Sequence, residues 1–122
     1  MAITLKSHGF KFGRPNANIY IDVSYFQNPW REKEIAEEKN KEKRKEKIFD
    51  FMVGQEGCSE VLLGTISLIS AYHKIYPEEN FQVALCCSAG EFRSPAMVEL
   101  LSKMLNSRKI EHRIEHSEYS KI

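Results

Sequence analysis

The 122-residue sequence has almost no net charge, no long apolar run and few cysteines. Its 18 Lys and Arg against 17 Asp and Glu give a formal charge of +1, so overall charge does not indicate a nucleic-acid or membrane partner. No apolar stretch is long enough to span a bilayer, and the start Met-Ala-Ile-Thr-Leu-Lys lacks a signal-peptide layout. Three cysteines, two of them adjacent, do not form a plausible disulfide framework. We therefore expect a reduced, cytoplasmic protein without a membrane partner.

The chain is long enough for one domain with a real core, which we expect to span residues 1–122 without internal repeats. Alternating apolar residues predict strands, and apolar residues at helical spacing predict helices. The predicted strands are residues 2–6, 18–23, 81–85 and 109–116, the predicted helices 59–73 and 95–105, and the turn-rich loop 7–16. This alternation predicts an α/β fold, a three-layer sandwich around a small, mainly parallel sheet.

The segment Phe81–Pro95 predicts a buried strand, a six-residue turn and the first turn of a helix. Apolar residues alternate with Gln82 and Ala84 along the strand. Ser94 is a good N-cap, and Pro95 suits the first helical position because its missing N–H would have no partner inside the helix. The turn can therefore present successive backbone N–H groups at a helix N-terminus.

Such a turn is expected to act as an anion-binding loop at the carboxyl edge of the sheet. Gly90 removes the Cβ that would block a close approach, and Arg93 adds a two-pronged cationic donor. The alternative is an ordinary strand-to-helix turn with a structural arginine; the co-occurrence of cysteine, glycine, arginine and a Ser-Pro helix start favours the anion site. The candidate ligand-binding residues are Lys11, Cys87, Ser88, Ala89, Gly90, Glu91, Phe92, Arg93 and Ser94.

Three further polar residues lie where they can reach such a ligand. Lys11 and Arg14 belong to the turn-rich loop, where they either lie over a bound anion or form a solvated basic surface. Asp22 ends the second predicted strand, where open α/β sheets bind their ligands. This carboxylate either orients a neighbouring cation or, as is commoner, caps the next turn.

An aromatic loop follows Asp22 and ends in the turn signal Asn28-Pro29. Its aromatic residues, Trp30 among them, either stack on a base or sugar of a ligand or cover the core, the latter being more usual. Arg14, Asp22, Asn28 and Trp30 are therefore a candidate second ring around the loop.

Residues 31–47 are almost entirely charged, and Ile35 and Ala36 are their only apolar side chains. Strong helix formers without Gly or Pro predict a helix. Because nothing between Ala36 and Ile48 can be buried, this helix must project into solvent, pack only through its ends or be partly disordered. We interpret it as a charged helical insertion with a solvated face; a nucleic-acid-binding arm is the alternative.

His112 and His116 come closest to a metal-ligand pattern, because four-residue spacing on a helix places two side chains on one face. Their surroundings alternate like an edge strand, in which residues four apart lie roughly 13 Å from each other. We therefore expect no metal site, and no pattern indicates a cofactor.

Several motifs together resemble the C-terminal domain of the RapZ family of RNase adapter proteins. They are Gly9–Gly13, Ile21–Val23, Asn28-Pro29 and Cys87–Ser94, in the family's order and approximate spacing. The similarity runs from about Ile3 to the end, and the family's N-terminal nucleotide-binding domain has no counterpart, so we expect the domain to stand alone. The resemblance implies binding of small RNA and of an amino-sugar phosphate, with the cysteine-to-arginine loop in the anion pocket, and a homo-oligomer as a possible assembly.

Position by position, Lys11, Cys87, Gly90 and Arg93 match the family pattern and Ser88 is close to it. The departures reduce positive charge. The family usually has an arginine at Ser24, a histidine at Trp30, and a glutamine or lysine followed by a histidine at Glu91-Phe92. We therefore expect RNA binding to be weak and salt-sensitive, through Lys11, Arg14 and the charged segment 31–47.

The sequence Cys87–Pro95 also resembles the signature loop of cysteine-dependent protein phosphatases. There a thiolate attacks phosphorus while loop amides and an arginine hold the oxygens, which would give Cys87 and Arg93 catalytic roles. Such enzymes also need a general acid, and the only aspartates, Asp22 and Asp50, lie in no recognisable acid loop. Cys86 stands where these enzymes usually have histidine. We therefore favour a non-catalytic binding or regulatory module for a phosphorylated small molecule or an RNA phosphate, with the phosphatase as the alternative.

Overall fold

A four-stranded sheet, in which every strand is parallel to its neighbours, forms the centre of the protein. The computed structural model describes residues 2–122. The strands are β1 (Ala2–Gly9), β2 (Ile19–Asp22), β3 (Asn80–Cys87) and β4 (Arg113–Glu115), arranged in the order β2-β3-β1-β4. The α/β class with a mainly parallel sheet is thus confirmed, and in these residues the sheet is wholly parallel.

The longest pairing joins β1 to β3, from Ala2 opposite Asn80 to Gly9 opposite Cys87. The odd-numbered residues of both strands point to one face, where Leu5, Val83 and Leu85 are almost completely buried. This face forms the core with apolar residues of the helices. Burial of so much apolar surface on one face fixes the register, since a slip by one residue would turn these side chains toward the other face.

Four helices follow one another around this core: α1 (Lys33–Ala36), α2 (Lys41–Val53), α3 (Cys58–Ile75) and α4 (Arg93–Ser107). The fully or nearly buried positions recur at helical spacing, as the apolar pattern of α3 and α4 predicts. They are Ile48 and Met52 in α2, Leu62, Ile66 and Ile69 in α3, and Met97, Val98, Leu101 and Leu105 in α4. Within residues 2–122, no helix has the length and apolar character needed to cross a membrane.

The opposite face of the sheet is covered by irregular chain between β1 and β2. The Lys6 Nζ donates to the Asn16 carbonyl at 2.9 Å, and the His8 Nε2 donates to the Gly13 carbonyl at 2.8 Å. Beneath this cover Ala84 and Cys86 are fully buried. Burial raises the pKa of the Cys86 thiol to about 12, with smaller contributions from Cys87 and Asp22.

The largest differences in strand boundaries from the sequence prediction lie at the end of β1 and at β4. Ser7, His8 and Gly9 were expected in a loop but continue β1, because their backbone pairs with β3 as far as Cys87. At the other end, β4 is only three residues long and pairs with β1 from Arg113 to Glu115, so most of the predicted edge strand 109–116 is irregular.

The charged segment is not the single helix that propensity predicts. It forms a short 3-10 turn at Pro29–Arg31, then α1, and a second helix that starts where the Asn40 Oδ1 accepts the backbone N–H of Lys43 at 3.0 Å. The charged segment packs against the core through its ends: Ile35 is 3% exposed, and α2 continues into the core through Ile48. Between these two positions no side chain is buried.

We expect Ile48→Ala to lower the free energy of unfolding by about 2–5 kcal/mol, the usual effect of truncating a buried isoleucine. Ile48 is 0% exposed, whereas Ile75, in α3, is 60% exposed. Ile75→Ala is therefore the matched control, with an expected change within about 0.5 kcal/mol. Urea unfolding followed by circular dichroism measures both. Equal effects of the two substitutions would contradict the packing of α2 described above.

Candidate anion-binding site

The loop 88–92 joins β3 to α4 at the carboxyl edge of the sheet. Its position is fixed by the last residue of β1: a Cβ on Gly9 would lie 2.4 Å from the Ala89 carbonyl carbon and 2.7 Å from the Gly90 nitrogen. Gly90 itself has a φ of 72°, a left-handed conformation that favours glycine. The close approach of two backbone segments thus holds the loop against the sheet.

The backbone N–H groups of Ala89, Gly90, Glu91 and Phe92 have no acceptor among residues 2–122. They lie directly before α4, whose N-terminus adds the positive end of the helix dipole. Consecutive amides without a protein acceptor at a helix N-terminus are suited to an anion.

Ser94 does not cap α4 as predicted. The helix begins two residues earlier than predicted, at Arg93, and the residue in the capping position is Phe92, which offers no side-chain acceptor. Ser94 instead contacts Cys87: its N–H donates to the Cys87 Sγ at 3.4 Å, and the thiol donates to the Ser94 Oγ at 3.3 Å. The Ser94 N–H is therefore already used by Cys87, and the N–H groups without an acceptor among residues 2–122 are those of the loop that precedes α4.

A small cavity of about 90 Å³ lies at this loop. Its lining consists of loop residues, the preceding cysteine, the following arginine and one residue of the aromatic loop: Asn28, Cys87, Ala89, Glu91, Phe92 and Arg93. Cys87 is 2% exposed. The cavity is large enough for a small tetrahedral anion, given about 30 Å³ for one water in the liquid. The structure therefore brings Asn28 together with the predicted loop residues.

Arg93 is tied to the aromatic loop. Its Nη1 donates to the carbonyls of Ser24 at 2.6 Å and Phe26 at 3.1 Å, while its Nη2 reaches the Ser88 Oγ at 3.4 Å. One edge of the guanidinium thus positions the chain after β2. The Nη2 side, with a single long contact, is the side that can turn to an anion.

The only carboxylate in the lining of this cavity is Glu91, which is paired with the C-terminal segment. The Lys121 Nζ lies 3.0 Å from the Glu91 Oε2, and the Lys121 backbone N–H donates to the Glu91 carbonyl at 2.9 Å. Nearby, the Ser117 Oγ lies 2.9 Å from where a Cβ on Gly90 would be, and Tyr119 stacks on Phe12. Sequence reasoning missed this contribution, because nothing in the chain's last residues signals contact with a loop 30 positions away.

The remaining predicted residues lie around the loop rather than in it. Asp22 accepts the N–H of Ser24 at 2.8 Å, so it caps the turn after β2, the commoner of the two outcomes considered. The Lys11 N–H donates to the Ser88 carbonyl at 3.0 Å, while its ammonium lies 5.3 Å from the Phe12 ring. Arg14 is exposed and does not line the cavity.

Trp30 lies beside the cavity, with its ring stacked on Phe92 at 4.8 Å between centroids. Its backbone N–H donates to the Asn28 Oδ1 at 3.0 Å, which fixes the short helical turn that carries it. The aromatic loop and the anion loop are therefore in direct contact through these two rings.

Larger concavities on the surface are not lined by the loop 88–92. One of about 640 Å³ lies between α1 and α2 and is lined by both acids and bases, including Glu32, Lys47 and Asp50. Within residues 2–122 no three His, Cys, Asp or Glu side chains are grouped to hold a metal ion. His112 contacts the Ser102 Oγ at 2.6 Å, and His116 contacts Glu99 at 3.2 Å.

Comparison with known proteins agrees with the motifs of the site. The family model of the RapZ C-terminal domain matches residues 1–120. A "Nucleotide-binding protein" of Pediococcus pentosaceus is 31% identical over 93% of this chain and 40% of its own length. Proteins of the same printed name from Mycobacterium leprae and Clavibacter michiganensis are 32% and 29% identical, over 87% and 86% of this chain and 36% of their own lengths. The chain spans at most two fifths of the length of these relatives.

We expect Gly9→Ala to destabilise the protein by about 1–3 kcal/mol, because the new methyl group would overlap the Ala89–Gly90 peptide and backbone cannot yield like a flexible side chain. Gly64→Ala is the matched control: a Cβ there meets nothing within 4 Å, and alanine favours helix α3 by about 0.5–1 kcal/mol. Thermal unfolding compares the two variants. A Gly9→Ala protein as stable as the original would rule out the close contact.

Proposed function

This chain belongs to the RapZ C-terminal domain family, and from that premise we propose that it is a non-catalytic module that binds the phosphate group of a ligand on the loop 88–92. The observation that carries the proposal is the row of four backbone N–H groups, Ala89 to Phe92, which precede α4 and have no acceptor among residues 2–122. An anion there gains hydrogen bonds that the protein does not make for itself.

The size of the cavity limits what enters it. About 90 Å³ accommodates a phosphate group, whereas the rest of a phosphorylated molecule must extend over the rim. The relatives' printed name, nucleotide-binding protein, describes whole proteins of which this chain covers at most 40%, so the phosphorylated ligand is proposed from the loop itself. The family resemblance supports the same class of ligand.

Electrostatics favour a modest affinity. Arg93 supplies positive charge beside the loop, but its Nη1 is already engaged by two carbonyls. Glu91 brings a negative charge into the lining, which Lys121 offsets at 3.0 Å. A dianionic phosphate is therefore attracted by the amides and by Arg93, and is repelled in part by Glu91.

Substitution of Glu91 is expected to change phosphate affinity in the opposite direction to substitution of Arg93. We expect Arg93→Ala to weaken phosphate binding by about 1.5–3 kcal/mol, the usual contribution of a charge-assisted hydrogen bond. Glu91→Gln should instead tighten it, because a like charge leaves the cavity and Lys121 becomes available. Isothermal titration calorimetry with inorganic phosphate and glucosamine 6-phosphate measures both variants.

Arg14→Ala is the control for net charge, since Arg14 is exposed and outside the cavity. Because Arg93 also holds the aromatic loop, each variant is first compared with the original protein by thermal unfolding. Equal phosphate affinities of the original, Arg93→Ala and Glu91→Gln proteins would remove the loop from consideration as the site.

A cysteine-dependent phosphatase is the second candidate, because Cys87 and Arg93 flank a loop of available amides. Among residues 2–122, the cavity has no side chain that is available as the general acid for protonation of the leaving group. Asp22 is used by Ser24, Asp50 lines the distant α1–α2 groove, and Glu91 is paired with Lys121. Cys87 is also only 2% exposed. We therefore propose that the domain binds phosphate esters without hydrolysing them.

We expect no Cys87-dependent release of nitrophenolate from p-nitrophenyl phosphate. This activated ester needs little help from a general acid, whose loss otherwise costs roughly 10²–10⁴-fold in rate. The assay compares the original protein with Cys87→Ser, with iodoacetamide labelling of Cys87 across pH as a measure of thiol reactivity. Turnover at enzyme-like rates that disappears in Cys87→Ser would establish the phosphatase instead.

RNA contact is proposed only as weak and salt-sensitive. Lys11 and Arg14 are exposed, but the charged segment does not form a uniform basic surface. Lys47 pairs with Glu38 at 2.9 Å, and Lys45 pairs with Glu99 at 3.0 Å. Mixed charges of this kind release few counterions on binding a phosphate backbone. A homo-oligomer stays a prediction from the family resemblance.

A further inference from the structure

The only tryptophan of the chain lies at the rim of the proposed phosphate site. Its ring stacks on Phe92 with 9° between the two planes, and Phe92 lines the cavity. Trp30 nevertheless stays 40% exposed. A large aromatic ring beside an anion site is thus partly open to solvent.

The rim also receives a cation from a distant part of the chain. Helix α2 brings Arg44 to Trp30, with its guanidinium carbon 5.8 Å from the centre of the indole ring. Trp30 itself is held by a short helical turn in which Asn28 accepts its N–H and Pro29 is buried. The indole is therefore fixed before any ligand arrives, while the guanidinium lies at the end of a flexible side chain.

We propose that Trp30 and Arg44 form a stacking platform for a nucleobase, so that the ligand of this domain is a nucleotide whose phosphate lies on the loop 88–92. The proposal rests on the proposed function and adds the class of ligand. A phosphate in the 90 Å³ cavity leaves the rest of its molecule outside, and Phe92 connects that cavity to the indole. Because Phe92 stacks on one face of the indole, the base must use the other face. A flat, polarisable ring there gains stacking on Trp30 and contact with the guanidinium, whereas a saturated sugar gains much less.

A nucleotide can come from two sources with the same chemistry. One is a free nucleoside 5′-monophosphate, and the other is the 5′-phosphorylated end of an RNA chain. The experiment below includes both, because the platform recognises the terminal base and phosphate in either case.

Intrinsic fluorescence gives a direct readout, because Trp30 is the single tryptophan. The ligands are inorganic phosphate, ribose 5-phosphate, AMP, GMP and a 5′-phosphorylated RNA trinucleotide with its unphosphorylated counterpart. We expect quenching by the nucleotides and not by ribose 5-phosphate. Stacking on an aromatic side chain should make a nucleotide bind about tenfold more tightly than ribose 5-phosphate. Tighter binding of the phosphorylated trinucleotide than of AMP would support the platform and identify an RNA end as the source.

Variants then separate stacking from phosphate binding by calorimetry. Trp30→Leu should reduce the ratio of AMP affinity to ribose 5-phosphate affinity towards one, and Arg44→Gln should lower AMP affinity several-fold. Lys43→Gln is the matched control, because Lys43 is an exposed cation next to Arg44 on the same helix. It should leave AMP affinity as it is.

Different results would contradict the stacking platform and the phosphate site. Equal affinities for AMP and ribose 5-phosphate, without quenching, would overturn the platform and leave the phosphate site in place. Absence of binding by every phosphate-containing ligand would overturn both. Equal losses of AMP affinity in Arg44→Gln and Lys43→Gln would show a general charge effect and would overturn the role of Arg44.

Discussion

The contact between Gly9 and the Ala89–Gly90 peptide is the constraint on which the candidate site depends. Eight residues of β1 pair with eight of β3, and the pairing ends where these two backbones touch. A side chain at position 9 would push the loop 88–92 away from the sheet, and with it the amides before α4. The geometry of the loop therefore follows from the most extensive strand pairing of the fold, whose register the buried apolar face fixes.

Patterns of period two and near 3.6 were enough to predict β3, α3, α4 and most of β1, because those elements bury one face along much of their length. The same rules failed where tertiary contacts decide. The predicted loop at Ser7 is strand because its backbone pairs with β3. Ser94, a good N-cap by residue type, contacts Cys87 instead. Local preference does not include the partner that a residue meets after folding.

The candidate site was likewise predicted in part from the sequence, and the rest depends on tertiary contacts. Residues within Cys87–Arg93 were predicted together because they are consecutive. The carbonyls of Ser24 and Phe26 that hold Arg93 carry no sequence signal, since every residue has a carbonyl. Lys121 and Arg44 reach the loop and its rim from 30 and about 50 positions away, and only the folded chain shows them there. The charged segment, which offers little to a hydrophobic core, thus contributes a cation to the rim.

The segment 117–121 lies against the loop 88–92 through Ser117 and Lys121, and Tyr119 stacks on Phe12 in the segment after β1. Local detachment of these residues would leave Glu91 without its cation and remove the neighbour of Gly90. Thermodynamic reciprocity then applies: any free energy by which an attached segment strengthens ligand binding is also the free energy by which the ligand holds the segment in place. Under the proposed function, amide hydrogen exchange in the last residues of the chain is therefore coupled to occupancy of a loop 30 positions earlier.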